Sequence, residues 1–286
     1  MKIASYFDYY DWSLDKQLKL FKENELDEFI LRRIDGKSFS NYQDKLEKYQ
    51  FLLKKIKVGL FDPLLPPIDT LNEKHLELLD KAFKFSKKIK AKNIVITIKS
   101  FSDDVSVLEL KEYFKEIMKI TKSRKLFIRI DNNNSVHTYS KISNEVKNRR
   151  IKIIYNPVEV YKKDYSHLTA FRLLTKKMGI CEIADTSDSK EAILVGHGEI
   201  DIKQIFRNIF ETRFNGLIAL NSNLDEVFEN FGINKLDVNK KDKKQNIRAY
   251  LDTIQKLGYV KYDEKEEVPF EDIIKHQIKL LKIVFK

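Results

Sequence analysis

The chain has 286 residues and a formal net charge of +11 at pH 7, from 54 lysines and arginines against 43 aspartates and glutamates. This length suits one large hydrophobic core, so we expect a single domain. The hydrophobic content of 42% is that of an ordinary globular protein, and no apolar run approaches the roughly 18 residues that a membrane span requires. The single cysteine, Cys181, excludes an intramolecular disulfide framework. A reducing cytoplasm is therefore the expected location.

The excess of basic residues raises the question of a nucleic-acid partner. Along the sequence, however, the lysines are spread over every predicted helix, and the densest basic run, 239–244, predicts a solvated loop. A chain rich in Lys, Ile, Asn and Phe with only 8 glycines is also typical of an AT-rich genome. We therefore expect neither nucleic acid nor a membrane as a partner.

Strand and helix patterns alternate along the chain, with short connections between them. Apolar runs predict eight strands, at 2–7, 29–34, 56–61, 93–98, 126–130, 151–155, 179–184 and 216–220. Helical spacing predicts helices between them, at about 14–21, 40–53, 72–88, 107–120, 139–147, 165–176 and 202–210. Ser13 is the expected N-cap of the first helix.

Eight strand-then-helix units indicate a closed parallel barrel, that is, a (β/α)8 fold of the α/β class. The alternative is an open doubly wound sheet, which usually has fewer strands and often a glycine-rich phosphate loop after the first; this sequence has no such loop. We expect the barrel to occupy 1–260, closed by a helix at 245–257. Residues 261–286 would add a C-terminal helix that packs on the barrel, and a dimer contact through that helix stays open.

The segment 178–221 carries the most specific pattern of the chain. Its strand and polar loop lead to the turn Gly196-His197-Gly198-Glu199-Ile200-Asp201, where Asp201 is a natural N-cap for the amphipathic helix that follows. The whole phrase, with the strand 214–220 after the helix, resembles the last βα units of the xylose isomerase-like TIM barrels. That superfamily contains sugar and sugar-phosphate isomerases and epimerases, and also the AP endonucleases.

In such a barrel the chemistry belongs at the C-terminal ends of the strands. The polar residues at those ends of this chain are Arg33, Asp35, Asp131, Asn132, Asn133, Asn156, Glu159, Glu182, Asp185, His197, Glu199 and Asn221. Carboxylates that converge in one opening repel one another unless a cation or a proton lies between them. A divalent metal site is therefore physically reasonable.

The resemblance implies a specific set of metal ligands. Active members of the superfamily usually have a Glu after the fifth strand, Asp-x-x-His after the sixth, His on the seventh and Glu after the eighth. At these positions this chain has Asp131, Asn156 with Glu159, Glu182 followed by Asp185, and Asn221. The site would then hold Mg²⁺, Mn²⁺ or Ca²⁺ through Asp131, Glu159 and Glu182, with Asp185 or Asn221 completing the set, or it would hold no metal.

The same resemblance implies proton transfer at a hydroxy-carbonyl carbon. Asp131, Glu182 and His197 are the candidate acid/base groups, and Arg33, Asn156 and Asn221 are the candidate substrate contacts. The five histidines do not match the zinc cluster of the endonuclease branch. Two functions stay open: an isomerase or epimerase acting on a sugar or sugar phosphate, and a degenerate barrel that binds a small polyol or a protein without chemistry.

Overall fold

A computed structural model of the chain describes residues 1–42, 46–230 and 270–285. Its main sheet has eight parallel strands in the order β1-β10-β7-β6-β5-β4-β3-β2. The strands are β1 Lys2–Ser5, β2 Phe29–Leu31, β3 Val58–Phe61, β4 Asn93–Ile96, β5 Lys125–Arg129, β6 Ile151–Tyr155, β7 Met178–Ile183 and β10 Leu217–Leu220. A two-stranded hairpin, β8 Asp185–Thr186 and β9 Ala192–Ile193, follows β7.

Helices surround this sheet. They are α1 Leu14–Glu23, α2 Phe39–Tyr42, α3 Leu46–Leu53, α4 Glu73–Lys88, α5 Val107–Thr121, α6 Val136–Glu145, α7 Pro157–Tyr161, α8 His167–Leu174, α9 Ile202–Glu211, α10 Leu224–Asn230 and α11 Phe270–Phe285. The ring of strands is nearly closed between β1 and β2. Asp27, just before β2, donates its backbone amide to the Ile3 carbonyl in β1, and its carboxylate accepts from the Ile3 amide. The predicted (β/α)8 barrel is thus confirmed.

Two apolar layers hold the barrel together. The inner layer fills its axis with small and large side chains from all eight strands: Ala4, Tyr6, Ile30, Leu60, Val95, Phe127, Ile154, Ile180, Leu217 and Ala219. The outer layer lies between strands and helices and forms one continuous cluster. Because side chains alternate along a strand, each inward residue has its next inward neighbour two positions further on. Because all eight strands run parallel, their C-terminal ends lie at one opening, which we call the mouth.

The C-terminal helix α11 packs on the barrel beside α1 and α9. Its buried side consists of Ile273, Ile274, Ile278, Leu281 and Phe285. Phe285 contacts the rings of Phe206 and Phe210 in α9, and Lys275 pairs with Glu23 in α1. The predicted helix at 245–257 and the predicted boundary at 260 lie outside the residues that the structure describes.

Several predicted element bounds need correction. The strands β1 and β2 end earlier than predicted, at Ser5 and Leu31, because the chain leaves the sheet where its side chains begin to line the mouth. Helix α6 begins at Val136 rather than 139, since the Ser135 hydroxyl caps it by accepting from the Thr138 amide. The N-caps predicted at Ser13 and Asp201 are confirmed. In the described part of the chain, no helix is long and apolar enough to cross a membrane.

Candidate functional site

A buried carboxylate lies at the centre of the mouth. Glu182, near the end of β7, is 0% exposed and accepts three hydrogen bonds. The Tyr6 hydroxyl donates to Oε1 at 2.6 Å, while the Asn156 and Asn221 amides donate to Oε2 at 2.7 and 3.0 Å. Hydrogen bonds to a carboxylate oxygen are among the stronger ones in proteins, so these three bonds fix the position of the Glu182 side chain.

Two arginine–aspartate pairs flank this carboxylate. Arg129, the last residue of β5, bonds to Asp62 and has its Nη1 3.8 Å from Glu182 Oε1. Burial alone would lower the pKa of the Arg129 guanidinium, but Asp62, Tyr6 and Glu182 together raise it above its usual value. Arg32 binds Asp8 through two hydrogen bonds, of 2.6 and 2.8 Å, and lies over the Tyr6 ring. Both guanidinium groups are therefore fixed positive charges.

The charges next to Glu182 nearly balance. Asp8 and Asp62 each neutralise one guanidinium, which leaves the charge of Glu182 only partly compensated by Arg129. Burial raises the pKa of the Tyr6 hydroxyl well above its ordinary value, and the neighbouring Glu182 raises it further, so Tyr6 stays a hydrogen-bond donor. The five residues Glu182, Tyr6, Asn156, Asn221 and Arg129 are called the Glu182 cluster below.

Two polar atoms of this region are buried without a hydrogen-bond partner among the described residues. One is Asn221 Oδ1, on a side chain that is 5% exposed and whose amide nitrogen already bonds to Glu182. The other is the hydroxyl of Tyr42, whose pKa is raised by burial and then by Asp62, Tyr49 and Asp8. Leaving a buried polar group unpaired costs about 1–3 kcal/mol, so each of these atoms would gain from a bond to a water molecule or a ligand.

The short helix α7 explains how Asn156 is held. The Asn156 side-chain oxygen caps this helix by accepting from the amides of Val158 and Glu159, and Pro157 occupies the first helical position. The oxygen is thereby engaged, and only the amide nitrogen is directed at Glu182. This part of the sequence, Asn-Pro, is a typical helix start, although no helix was expected there.

The candidates Asp131 and Glu159 lie at the ends of β5 and β6. The carboxylate of Asp131 accepts from the Tyr139 hydroxyl at 3.0 Å and from the Asn133 amide at 2.9 Å. Glu159 is half-buried, and no hydrogen bond within residues 1–42, 46–230 and 270–285 reaches its carboxylate. Burial raises the pKa of Glu159; Lys162 opposes this shift, whereas Glu182 adds to it.

Asp185 and His197 belong to the loop after β7. The buried carboxylate of Asp185 accepts four backbone hydrogen bonds, from the amides of Thr186, Gly196, Gly198 and Ile200, at 2.8–3.1 Å. A side chain at Gly198 would meet the Thr186 carbonyl and the Asp185 carboxylate, so the loop needs glycine there. His197 lies exposed on the same loop. A catalytic role for His197 stays a prediction.

Of the arginine pair after β2, Arg32 is the one whose guanidinium lies in the mouth. Arg33 is half-buried, and its backbone carbonyl accepts from Gln17; its contact with a substrate stays a prediction. Sequence reasoning missed Tyr6, Asp8, Asp62 and Arg129. The alternation of side chains along a strand could have indicated two of them. Arg129 lies two residues after the inward Phe127, and Asp8 lies two residues after the inward Tyr6.

The groups that surround the Glu182 carboxylate are hydrogen-bond donors. Among the residues described here, no group of three or more His, Cys, Asp or Glu side chains is arranged to hold a metal ion. The guanidinium of Arg129 and the amide N–H groups of Asn156 and Asn221 surround Glu182, and all of these repel a cation. The four hydrogen bonds to Asp185 engage its oxygens in the loop. The donor set therefore does not fit a divalent ion.

Comparison with known proteins gives similarity in structure only. No family model matches the chain, and no curated protein matches it in sequence. Among solved structures, the IolI protein with a bound zinc atom is 13% identical, covers 92% of this chain and 100% of its own, and has a TM-score of 0.62. The probable 3-DHS dehydratase AsbF from Bacillus anthracis is also 13% identical, with 99% of both chains covered and a TM-score of 0.63.

A D-allulose 3-epimerase from Methylomonas sp. is 11% identical, covers 100% of this chain and 98% of its own, and has a TM-score of 0.64. These identities are low, while the barrel aligns over nearly the whole chain. The similarity is therefore one of fold and not of site chemistry. What the similarity establishes, together with the strand order and the nearly closed ring described above, is that this chain has the fold of the xylose isomerase-like TIM barrels.

Proposed function

We propose that the mouth binds a small, neutral, polyhydroxylated molecule of the carbohydrate class, through direct hydrogen bonds and without a divalent metal. The observation that carries this proposal is the Glu182 cluster, in which a fully buried carboxylate is held by three donors while Asn221 Oδ1 is left unpaired. A hydroxyl group both donates and accepts, so one sugar hydroxyl can bond to Asn221 Oδ1 and another to a guanidinium.

The charge of the mouth favours a neutral sugar over a sugar phosphate. The Asp8–Arg32 and Asp62–Arg129 pairs cancel, and Glu182 adds a negative charge that only Arg129 faces. The Glu182 carboxylate would repel an incoming phosphate, whereas uncharged hydroxyl groups would not be repelled. Fold neighbours are consistent with this class, since a related epimerase was solved in complex with D-allulose.

Arg129 takes over the electrostatic role that a metal ion would have beside Glu182. Its guanidinium is permanently charged and presents several N–H donors, so it can bind a carbonyl or hydroxyl oxygen of the ligand. The predicted metal ligands Asp131, Glu159, Glu182 and Asp185 form the competing account. The bonds from Tyr139 to Asp131 and from four amides to Asp185 weigh against it.

The binding proposal is tested by thermal unfolding of the full chain with a panel of neutral ketoses, aldoses and polyols in EDTA. A ligand at about twenty times its Kd adds about 1.8 kcal/mol, which raises Tm by about 3–5 °C. Asn221→Ala should remove this rise. Asn208→Ala is the matched control, because Asn208 is also buried with an unpaired amide but lies in α9. A full panel without any rise would refute the proposal.

Isomerisation or epimerisation by proton transfer is the second candidate, and the unbonded carboxylate of Glu159 favours it. Glu159 would take the proton from the hydroxyl-bearing carbon next to the ligand's carbonyl and return it to the former carbonyl carbon, while the hydroxyl proton passes to the former carbonyl oxygen. This sequence interconverts an aldose and a ketose, whereas epimerisation would need a second proton donor on the opposite face. Arg129 would hold the resulting oxyanion. NMR in D₂O detects this exchange on any sugar that binds. We expect Glu159→Gln to abolish it and Glu199→Gln, at an exposed loop position, to leave it unchanged.

A further inference from the structure

One end of the barrel collects basic residues that are far apart in the sequence. Because helices run antiparallel to the strands, each connection from a helix to the next strand lies at the end opposite the mouth. Five consecutive connections and their flanks, 54–57, 87–92, 119–125, 147–152 and 175–177, together hold 17 lysines and arginines and no aspartate or glutamate. They lead into β3, β4, β5, β6 and β7, which are neighbours in the sheet, so this basic face is continuous.

The charge of the basic face is largely unneutralised. Most of its lysines are exposed, and within the described part of the chain only Lys57 and Lys119 pair with a carboxylate. Burial lowers the pKa of Lys177, and the neighbouring Lys152 and Lys147 lower it further. The buried Nε of Arg124 has no hydrogen-bond partner among these residues. The face therefore lacks counter-charges and acceptors that a polyanion would supply.

Helix dipoles alone do not account for this composition. A basic residue in the last turn of a helix is favourable, but the effect is confined to that turn. Here the residues just before or inside the next strand are basic as well, as Lys57, Lys92, Lys125 and Lys152 show. At the mouth, by contrast, each of the seven connections from β1 to α9 carries an aspartate or glutamate.

We propose that the basic face binds nucleic acid through its phosphodiester backbone, a role separate from ligand binding at the mouth. Neighbouring helices lie roughly 10 Å apart in a ring of eight, so the five connections form an arc of roughly 40 Å whose ends are roughly 25 Å apart, which fits within one turn of a duplex at about 34 Å. An anionic bilayer would be held by exposed apolar side chains as well as by charge. None of the exposed large hydrophobic residues lies in the five segments, which favours nucleic acid over a bilayer.

Fluorescence anisotropy of the full chain with a labelled RNA strand or DNA duplex of about 20 nucleotides or base pairs tests the proposal. With about five phosphates contacted, affinity should fall more than 100-fold between about 50 and 200 mM salt. A basic-face variant replaces four exposed residues with glutamine: Lys90, Lys92, Lys122 and Arg149. A control variant makes the same change at four exposed lysines near the mouth: Lys37, Lys74, Lys111 and Lys203.

We expect the basic-face variant to bind at least tenfold more weakly than the wild type at the lower salt, and the control variant to stay within about threefold. Binding of the strand but not the duplex, or the reverse, would identify which form the face accepts. Equal weakening of both variants would mean that net charge alone attracts the polyanion, which would overturn the proposal. So would binding to phosphatidylserine vesicles with no binding to either nucleic acid.

Discussion

At the scale of single residues, the mouth depends on Glu182. Its carboxylate accepts three hydrogen bonds, from Tyr6, Asn156 and Asn221, and lies beside the Arg129 guanidinium. A neutral side chain at this position cannot accept all three bonds, so at least one buried donor would lose its acceptor. Glu182→Gln is expected to lower the free energy of unfolding by about 2–3 kcal/mol and to abolish ligand binding. Urea denaturation measures the first effect, with Glu191→Gln, at an exposed position, as the control. A change below about 0.5 kcal/mol in Glu182→Gln would contradict this assignment.

The residues of the mouth were predictable in part. Glu182, Asn156 and Asn221 follow from the rule that parallel strands present their C-terminal ends at one opening, and the structure does bring these three together. Arg129 was passed over in favour of Asp131 because an offset of two residues along β5 cannot be judged from an apolar run alone. The contact of Tyr6 with Glu182 spans 176 positions in sequence, and no local pattern indicates such a distance.

At the scale of elements, Asp185 organises the loop that joins β7 to α9. Three of its four backbone hydrogen bonds come from Gly196, Gly198 and Ile200 and hold the turn at 196–200 against the hairpin. Asp185→Ala would leave four amides without their acceptor, so we expect a loss of about 3 kcal/mol in the free energy of unfolding. Asp188→Ala, in the same hairpin, should change it by less than about 0.5 kcal/mol. Stabilisation of the wild type but not of Asp185→Ala by calcium or manganese would contradict a purely structural role.

The C-terminal helix α11 offers a second test at this scale. Ile274 is 0% exposed against the barrel, whereas Ile283 in the same helix is 61% exposed. Ile274→Ala should cost about 2–4 kcal/mol through lost burial and a cavity, and Ile283→Ala less than about 1 kcal/mol. Guanidinium denaturation followed by circular dichroism measures both. Equal effects would mean that α11 does not pack on the barrel through this face.

Element prediction worked where periodicity was long and failed where it was short. All eight barrel strands follow from apolar runs, and helices α4 and α5 agree with prediction to within one residue. The five-residue helix α7 and the two-residue strands β8 and β9 are too short for a periodic signal. They depend on tertiary contacts, such as the caps and carboxylate bonds described above.

At the scale of the whole molecule, charge is divided between the two ends of the barrel. Lys152 lies on the basic side, where burial lowers its pKa and Lys125 lowers it further. A lysine with a lowered folded pKa binds fewer protons when folded than when unfolded, so its penalty on stability fades as pH rises toward 10.5. Lys152→Met should therefore raise Tm at neutral pH, and its advantage should shrink in alkaline buffer. An advantage independent of pH would contradict this explanation.

The division of charge could not be predicted from the sequence. Lysines that look evenly spread along the chain are brought to one face because all helix-to-strand connections of a (β/α)8 barrel lie at the same end. The topology was predictable from strand count, but the charge of each end becomes visible only when connections are sorted by end. Sorting the connections by end also shows that each strand-to-helix connection from β1 to α9, at the mouth, carries an aspartate or glutamate.

The most direct test of a metal-free mouth is calorimetric titration of the wild-type chain with the sugar that raises Tm most, first in EDTA and then with Mn²⁺. Because Arg129 already provides the positive charge beside Glu182, we predict the same Kd in both buffers. Binding only in the presence of Mn²⁺, with one metal ion retained per chain after dialysis, would contradict the account and return the site to the metal-dependent class.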